Sequence, residues 1–251
     1  MRRVAALAAS AAMLAAACSG SGGRSSHQLT VLAAASLSDA FDVIETQFEN
    51  VHPGTTVRVA YGPSDGLARQ IQAGDPADVF ASASETWMDA VRKRPGVSDQ
   101  ANFARNRMVI VVPSTNPAHV RSIHDLAKPG LKLVLAAPGV PAGDYARAIL
   151  RKAGIAHAAL ANVVSNEVDV RGVLAKLDTG DADAGIVYTT DARRAGTGII
   201  PISIPPKLNV VATYPIAVVR GSSAEGTARA FVRFVLGPGQ ATLRAAGFMP
   251  A

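Results

Sequence analysis

The chain has 251 residues, of which 49% are hydrophobic and 18% are charged. A chain of this length and composition can bury a core in one large domain or in two lobes, so intrinsic disorder is excluded. The net charge of +6 comes from scattered lysines and arginines, and only 5% of the residues are aromatic. Without a basic block or a stacking platform, the sequence predicts no nucleic-acid partner.

Residues 1–17 have the pattern of a secretory signal peptide. Arg2 and Arg3 form a positive start, and the apolar run after them is too short for a comfortable bilayer span. We therefore leave this segment out of the fold and expect the mature protein outside the cytoplasm.

Cys18, the single cysteine of the chain, follows this run directly and precedes a flexible polar stretch. No internal disulfide can form, and there is no CxxC metal site. The arrangement resembles a bacterial lipoprotein signal, which implies a linker at 18–28 and a lipid anchor at Cys18 on the outer face of the cell membrane. It departs from that signal at Ala15, where a large aliphatic residue is usual. The alternative is an ordinary cleaved signal with an incidental cysteine.

From Leu29 onward, short apolar runs alternate with amphipathic stretches, a pattern typical of an α/β fold with helices on both faces of a mostly parallel sheet. The apolar runs predict strands at 29–35, 55–61, 78–83, 107–113, 131–138, 162–166, 184–189 and 214–220. The amphipathic stretches predict helices at 36–51, 64–74, 84–94, 142–154, 168–180 and 224–236.

The order of these units indicates two lobes, with the second inserted into the first. Residues 29–108 and 213–251 are predicted to form the first lobe, and residues 109–212 the second. Two strand crossings then predict a hinge near residues 105–115 and 208–216. Such a hinge suits closure around a ligand.

Four of the predicted strand-to-helix junctions share small or apolar residues. They lie at Ser36, Ser64, Ala142 and Val170. In open α/β sheets, ligands bind at the carboxyl ends of the strands, where the following helices offer unpaired N–H groups and a partial positive charge. The four junctions therefore predict an anion site.

The hydroxyl groups near these junctions admit two interpretations. Singly, Ser36 and Ser64 are each expected to cap a helix by accepting from a backbone N–H. Together, beside the loose backbone of GPSDG and GVPAG, they are better explained as donors to an oxyanion. Tyr188 ends an apolar run and can supply a further neutral donor, with core packing as the alternative. We expect Ser36→Ala to weaken anion binding and to leave folding stability nearly unchanged.

Several motifs, in order, resemble the molybdate-binding proteins of bacterial molybdate ABC transporters. They are AAASL, LARQIQAGDPADVFASA, a Trp-Met pair, VPAGDYA, EVDVRG and GIVYTTDA, and the similarity runs from about Leu29 to the C-terminal GFMPA. The resemblance implies a two-lobed, type II periplasmic-binding-protein fold and a monomer without a cofactor. It also implies that the cleft holds molybdate or tungstate for delivery to a permease driven by a separate ATPase.

By this resemblance, the family's ligand contacts fall on Ser36, Ser64, Ala142, Val170 and Tyr188. Hydroxyls and backbone N–H groups dominate the set, and it contains no lysine or arginine. The resemblance therefore implies that neutral dipoles and helix ends hold the anion.

The sequence departs from the family around Ser64, which lies between Pro63 and Asp65 instead of within a serine-rich run. A carboxylate beside a dianion would repel it. We therefore expect Asp65 to face away from the ligand, in the first helical turn, where negative charge is favourable.

Other classes of function have less support. GPSDG around Ser64 matches the G-x-S-x-G motif of serine hydrolases, but the last histidine, His157, leaves the C-terminal third without a base. We therefore predict that the chain is not an enzyme. No GxxxxGK[ST] phosphate loop occurs, and no site for a free metal cation is predicted because the histidines are dispersed. They are His27, His52, His119, His124 and His157.

The closest rival is a receptor for another oxyanion, such as sulfate or phosphate. Molybdate and tungstate are larger than sulfate, and monohydrogen phosphate carries a proton that needs an acceptor. None of the five expected contacts supplies an acceptor, although Asp65 and Asp144 are near enough in sequence to keep the question open.

Overall fold

The computed structural model of the chain describes residues 27–251. The predicted signal peptide and Cys18 lie outside the described residues. The strands of the described part are β1 (His27–Ala34), β2 (Thr55–Gly62), β3 (Val79–Ala81), β4 (Val97–Pro113), β5 (Leu133–Ala136), β6 (Val163–Glu167), β7 (Ala184–Tyr188), β8 (Ile199–Ser203) and β9 (Val211–Val219). They form one sheet in the order β2-β1-β3-β9-β4-β7-β5-β6, with β8 paired to β4.

The α-helices connect and cover these strands. They are α1 (Ser38–Val51), α2 (Ser64–Ala73), α3 (Glu85–Lys93), α4 (Pro141–Lys152), α5 (Ala156–Ala161), α6 (Val170–Asp178), α7 (Thr189–Arg194), α8 (Glu225–Leu236) and α9 (Gly239–Ala245). Short 3-10 helices lie at Ala35–Leu37, Ile123–Ala127 and Gly196–Gly198. Within residues 27–251, no helix combines the length and the apolar character that a bilayer crossing requires.

The long strand β4 belongs to both lobes of this α/β fold. Up to Arg107 it pairs with β9, and from Met108 onward it pairs with β7 and β8. On one side β1 lies parallel to β2 and β3, and on the other β5 lies parallel to β6 and β7. The antiparallel pairings of the described strands all involve β4 or β9, the strands at the crossing. The predicted fold class is confirmed.

The chain crosses between the lobes at two places. The first crossing lies in β4 between Arg107 and Met108, inside the predicted hinge segment 105–115. The second lies between Ser203 and Val211, so it starts earlier than the predicted segment 208–216.

Several elements differ from the sequence-based expectation. β1 begins at His27, two residues before the predicted strand, because its ladder with β2 already pairs His27 with Thr55. β4 begins at Val97 instead of residue 107, because its polar first half is held by backbone pairing with β9. β8 was not predicted because it contains Pro201, which an edge strand tolerates. The short helices α5, α7 and α9 were also missed, because six or seven residues give little periodic signal.

An aromatic cluster forms the core of the first lobe. Phe41 and Phe48 on α1 contact Phe231 on α8 with ring centroids 6.2 Å and 5.2 Å apart, and Phe41 lies 5.8 Å from Phe103 on β4. All four side chains are buried. Burial of each such side chain contributes about 1.5–3 kcal/mol, so α1 and α8 are held firmly against the sheet.

The centre of the second lobe is built from strands buried on both faces. Every residue of β5 and of β7 is buried. A Cβ at Gly185 in β7 would lie 2.7 Å from Cγ1 of Val173 on α6. The glycine therefore allows α6 to approach the sheet closely, and this approach places the start of α6 at the interlobe cleft.

Candidate anion-binding site

The structure brings all five predicted ligand residues to one cavity between the lobes. Ser36 and Ser64 line it from the first lobe, and Ala142, Val170 and Tyr188 line it from the second. The remaining lining residues are Ala34, Ala35, Gly62, Pro63, Ala83, Val140, Pro141 and Asp169. The cavity volume is about 20 Å³, compared with the roughly 10–15 Å³ that one buried water needs. A cavity of this size suits a compact ion.

Three helices begin at this cavity. Ser64 is the first residue of α2, Ala142 is the second residue of α4, and Val170 is the first residue of α6. The first N–H groups of a helix have no acceptor within the helix, and each helix start carries roughly half a positive charge. The three starts together place about +1.5 of partial charge around the cavity without any cationic side chain.

Gly143 explains how α4 reaches the site. A Cβ at this position would clash with the backbone carbonyl oxygens of Ala136 and Ala137 at the end of β5. Glycine therefore lets the first turn of α4 lie directly on the end of the strand. Pro141, at the first position of the helix, has a φ suited to a helix start and lacks an N–H that would need a partner.

Neither serine hydroxyl caps a helix, so the capping interpretation is wrong for both. Ser64 Oγ accepts a hydrogen bond from the backbone N–H of Ala83 at 3.0 Å. Ser36 lies inside the 3-10 helix, and its Oγ is 3.0 Å from the hydroxyl oxygen of Tyr214. Each oxygen is engaged with a protein group, and both residues line the cavity.

The bond to Tyr214 also corrects the expected stability of Ser36→Ala. Tyr214 is fully buried, and removal of its partner would leave a buried hydroxyl unsatisfied. Such a group costs about 1–3 kcal/mol. Ser36→Ala is therefore expected to reduce both anion affinity and folding stability, contrary to the sequence-based expectation.

Tyr188 carries the most informative polar atom of the site. Its side chain is 2% exposed, and its hydroxyl oxygen is buried without a hydrogen-bond partner among the described residues. Burial raises the pKa of the phenol well above its ordinary value, so the hydroxyl keeps its proton. Because a buried polar group normally has a partner, this oxygen points to a ligand that accepts a hydrogen bond.

The two carboxylates that kept the phosphate alternative open do not line the cavity. Asp65, in the first turn of α2, is buried and forms an ion pair with Arg69. One oxygen of Asp144 accepts from the backbone N–H of Gly139 at 2.9 Å. Oδ2 of Asp65 and Oδ1 of Asp144 are thus directed to protein partners, whereas Oδ1 of Asp65 is buried without a hydrogen-bond partner among the described residues.

A third carboxylate, Asp169, does line the cavity and was missed from the sequence. It is the N-cap of α6, and Oδ1 accepts from the N–H groups of Arg171 and Gly172 at 2.8 Å and 3.2 Å. Oδ2 accepts from Nε and Nη2 of Arg171 at 3.1 Å and 2.7 Å. An aspartate directly before a helix start is a capping signal that could have identified it. Its charge is offset by Arg171, and its acceptor positions are occupied.

Direct hydrogen bonds join the lobes near the cavity. Nε1 of Trp87 on α3 donates to the carbonyl oxygen of Gly139 at 2.9 Å, and the hydroxyl of Tyr145 on α4 donates to the carbonyl oxygen of Ala83 at 3.2 Å. These bonds hold the cleft closed in the described conformation.

Asp169 is the one metal-ligating carboxylate in the described lining of the cavity. None of the histidines in the described range lines the cavity. Residues 27–251 also contain no group of three or more His, Cys, Asp or Glu side chains placed to hold a metal ion.

Comparison with known proteins identifies the family. The family model of bacterial extracellular solute-binding proteins matches residues 29–249. The chain belongs to this family. Molybdate-binding protein ModA of Mycobacterium tuberculosis is 43% identical over 210 residues, 83% of this chain and 79% of the relative. Molybdate-binding protein ModA of Escherichia coli is 36% identical over 219 residues, 84% of each chain.

A solved structure supports the fold of this solute-binding protein. The substrate-binding domain of a putative molybdenum ABC transporter from Clostridium difficile superposes with a TM-score of 0.68 and 28% sequence identity. The match covers 90% of this chain and 100% of that chain. Because members of this family bind solutes outside the cytoplasm and are not enzymes, the serine hydrolase alternative for Ser64 is wrong.

Proposed function

We propose that this solute-binding protein captures molybdate, and tungstate as its near isostere, in the cavity between its lobes. The observation that carries the proposal is the buried hydroxyl of Tyr188, a residue that lines the cavity, because this hydroxyl has no hydrogen-bond partner among the described residues. An oxyanion accepts such a bond. The two relatives described above, at 43% and 36% identity, are both named as molybdate-binding proteins.

The donors of the cavity favour a fully deprotonated anion. The Tyr188 hydroxyl, the two serine hydroxyls and the helix starts can all donate, and the carboxylate of Asp169 is already occupied by four hydrogen bonds. Monohydrogen phosphate would bring a proton, and the described lining of the cavity offers no unpaired carboxylate oxygen to accept it. A site of this kind therefore disfavours phosphate and accepts molybdate, tungstate or sulfate. Discrimination between sulfate and the two larger anions then depends on the radius of the cavity.

We further propose that the anion drives closure of two bodies, residues 29–108 with 213–251 and residues 109–212. The anion bridges the serines of the first body to the second, and closure forms the Trp87 and Tyr145 hydrogen bonds across the cleft. The anion stabilises the closed form because only that form presents all donors at once. The closed form is what a permease with a separate ATPase then recognises, and the protein acts as a monomer.

Isothermal titration calorimetry of the purified mature protein tests this function. Molybdate, tungstate, sulfate and phosphate are titrated in turn at pH 8. One-to-one binding of molybdate and tungstate, with sulfate and phosphate at least 100-fold weaker (about 2.7 kcal/mol), is the expected result. Equal or tighter binding of sulfate would overturn the ligand, and the absence of heat from all four anions would overturn the oxyanion function.

The same proposal places the protein on the outer face of the cell membrane through a lipid on Cys18. Cys18→Ser should release the protein from the membrane fraction into the soluble extracytoplasmic fraction, because one thiol carries the whole anchor. Recovery of the wild-type protein in the soluble fraction would contradict the lipid anchor and leave anion binding unaffected.

A further inference from the structure

Tyr214 touches ligand-lining residues of both lobes without lining the cavity itself. It lies in β9 opposite Ala104 of β4, beside the crossing between the lobes. Its hydroxyl oxygen is 3.0 Å from Oγ of Ser36, and its ring centroid is 5.8 Å from that of Tyr188. The residue therefore connects one expected donor of each lobe.

Either oxygen of the Tyr214–Ser36 pair can be the donor, and we take the phenol as the donor because Tyr214 is fully buried and Ser36 is not. Among the described residues, Ser36 is the hydrogen-bond partner of the fully buried phenol. Burial raises the pKa of Tyr214 well above its usual range, so the hydroxyl keeps its proton and needs an acceptor. With the phenol as donor, Ser36 Oγ is the acceptor, and the single hydrogen of Ser36 is left for the cavity.

Ser64 shows the same arrangement without ambiguity. Its Oγ accepts from the backbone N–H of Ala83, which can only donate. The hydrogen of Ser64 must therefore point elsewhere, and the residue lines the cavity. With the phenol as donor, Ser36 has the same arrangement, in which a protein donor occupies the oxygen and the hydroxyl hydrogen is left for the cavity.

We propose that Tyr214 is a positioning residue that fixes the Ser36 hydroxyl as a donor to a fully deprotonated oxyanion. This inference rests on the proposed function, because it concerns the same cavity. Without the phenol hydroxyl, Ser36 can rotate and present either its hydrogen or its lone pairs. The site then loses affinity for molybdate and part of its discrimination against an anion that carries a proton.

The test is a double-mutant cycle measured by calorimetry at pH 8. Wild type, Ser36→Ala, Tyr214→Phe and the double variant are titrated with molybdate, and Tyr61→Phe is the matched control. The hydroxyl of Tyr61 donates to Asp42 at 2.6 Å, and the residue does not line the cavity. Tyr214→Phe should weaken binding by roughly tenfold, the control should bind as the wild type does, and the double variant should bind as Ser36→Ala does.

Two outcomes would overturn the role of Tyr214. One is an unchanged dissociation constant in Tyr214→Phe, and the other is an additive loss in the double variant, because independent effects add. A titration with phosphate distinguishes this role from a merely structural one. The ratio of molybdate affinity to phosphate affinity should be lower in Tyr214→Phe than in the wild type, whereas a purely structural effect would leave this ratio unchanged. An unchanged ratio would contradict the inference.

Carbon-13 NMR of the wild-type protein tests the same role of Tyr214 without a variant. In wild-type protein labelled at tyrosine Cζ, a Tyr214 hydroxyl that donates to Ser36 should exchange slowly with solvent and give separate signals for H and D in mixed water. One averaged signal for Tyr214 would overturn the proposal, even if Tyr214→Phe fails to fold.

The outcomes separate this inference from the proposed function. If the wild type binds molybdate and the cycle is additive, only the role of Tyr214 fails. If the wild type binds sulfate instead, the proposed ligand is wrong and the same four proteins titrated with sulfate decide the role of Tyr214. If the wild type binds no oxyanion, both proposals fail.

Discussion

Replacement of Tyr188 by phenylalanine separates anion binding from folding. The ring packs against Tyr145 and Tyr214, with centroids 6.5 Å and 5.8 Å away, and phenylalanine preserves this packing. Only the hydroxyl is lost, and it has no hydrogen-bond partner among the described residues. The substitution therefore removes a bond to the ligand and no hydrogen bond within the described protein.

The magnitude follows from the strength of a hydrogen bond to a charged group. Such a bond contributes about 1.5–3 kcal/mol, so Tyr188→Phe should raise the Kd for molybdate by about 10- to 150-fold. In the absence of ligand, the variant should not be destabilised, because an unsatisfied buried hydroxyl costs about 1–3 kcal/mol in the closed form.

The assay pairs calorimetric titration with thermal unfolding of the ligand-free protein. The expected result is a weakened affinity together with a midpoint temperature that is unchanged or higher. Tyr61→Phe, whose hydroxyl bonds to Asp42 away from the cavity, should leave the affinity unchanged. A Kd for Tyr188→Phe within twofold of the wild-type value would refute the assignment of this hydroxyl to the ligand.

Three further predictions follow from other parts of the site. Gly143→Ala should lower the free energy of unfolding by about 1–3 kcal/mol, because the new Cβ would clash with two backbone carbonyl oxygens. The control, Gly226→Ala in α8, has open space around its Cβ and should leave the free energy of unfolding unchanged. Equal chemical-denaturation midpoints for the two variants would contradict this prediction. Trp87 is the single tryptophan, and its indole N–H donates to the carbonyl oxygen of Gly139 across the cleft. Added molybdate should therefore shift the tryptophan emission spectrum until the site is saturated. An unchanged emission spectrum would argue against closure of the cleft at Trp87. Burial raises the pKa of Asp191 to about 7, against roughly 3.9 in the unfolded chain, so this carboxyl lowers the free energy of unfolding as pH rises from about 4 to 7. The unfolding midpoint temperature of Asp191→Asn should therefore rise relative to that of the wild type over this pH interval. A difference in midpoint temperature that stays constant with pH would contradict the prediction.

The sequence predicts the central part of the fold because its signals are local there. Alternation of apolar runs and amphipathic stretches marks the parallel strands and the six longer helices, and small residues at the junctions mark the helix starts that meet the cavity. The first half of β4 gives no such signal. Its residues from Val97 to Asn106 are largely polar, and their strand conformation depends on pairing with β9, more than a hundred positions later in the chain.

The site divides in the same way. The positions of Ser64, Ala142 and Val170 at helix starts follow from local sequence. The partner of each serine hydroxyl does not, since Ala83 and Tyr214 are distant in the chain and reach the serines only in the folded structure. For this reason local sequence also fits a capping role for both serines, and it gives no signal for Tyr214. Asp169 lay within reach of sequence reasoning, because its position before α6 is a capping position.

The distribution of charge around the cavity links affinity to closure. The lining contains one formal charge among the described residues, Asp169, and Arg171 offsets it through two hydrogen bonds from its guanidinium. Attraction for a dianion therefore comes from partial charges on hydroxyls and helix starts. These interactions are weak in water and strong where water is excluded. The lining residues come from both lobes, so under the proposed function neither lobe alone surrounds the anion, and most of the binding free energy is expected only when the cleft closes. An anion that leaves one donor unsatisfied is then expected to lose that closure energy, so the proposed mechanism makes closure the step that selects the ligand.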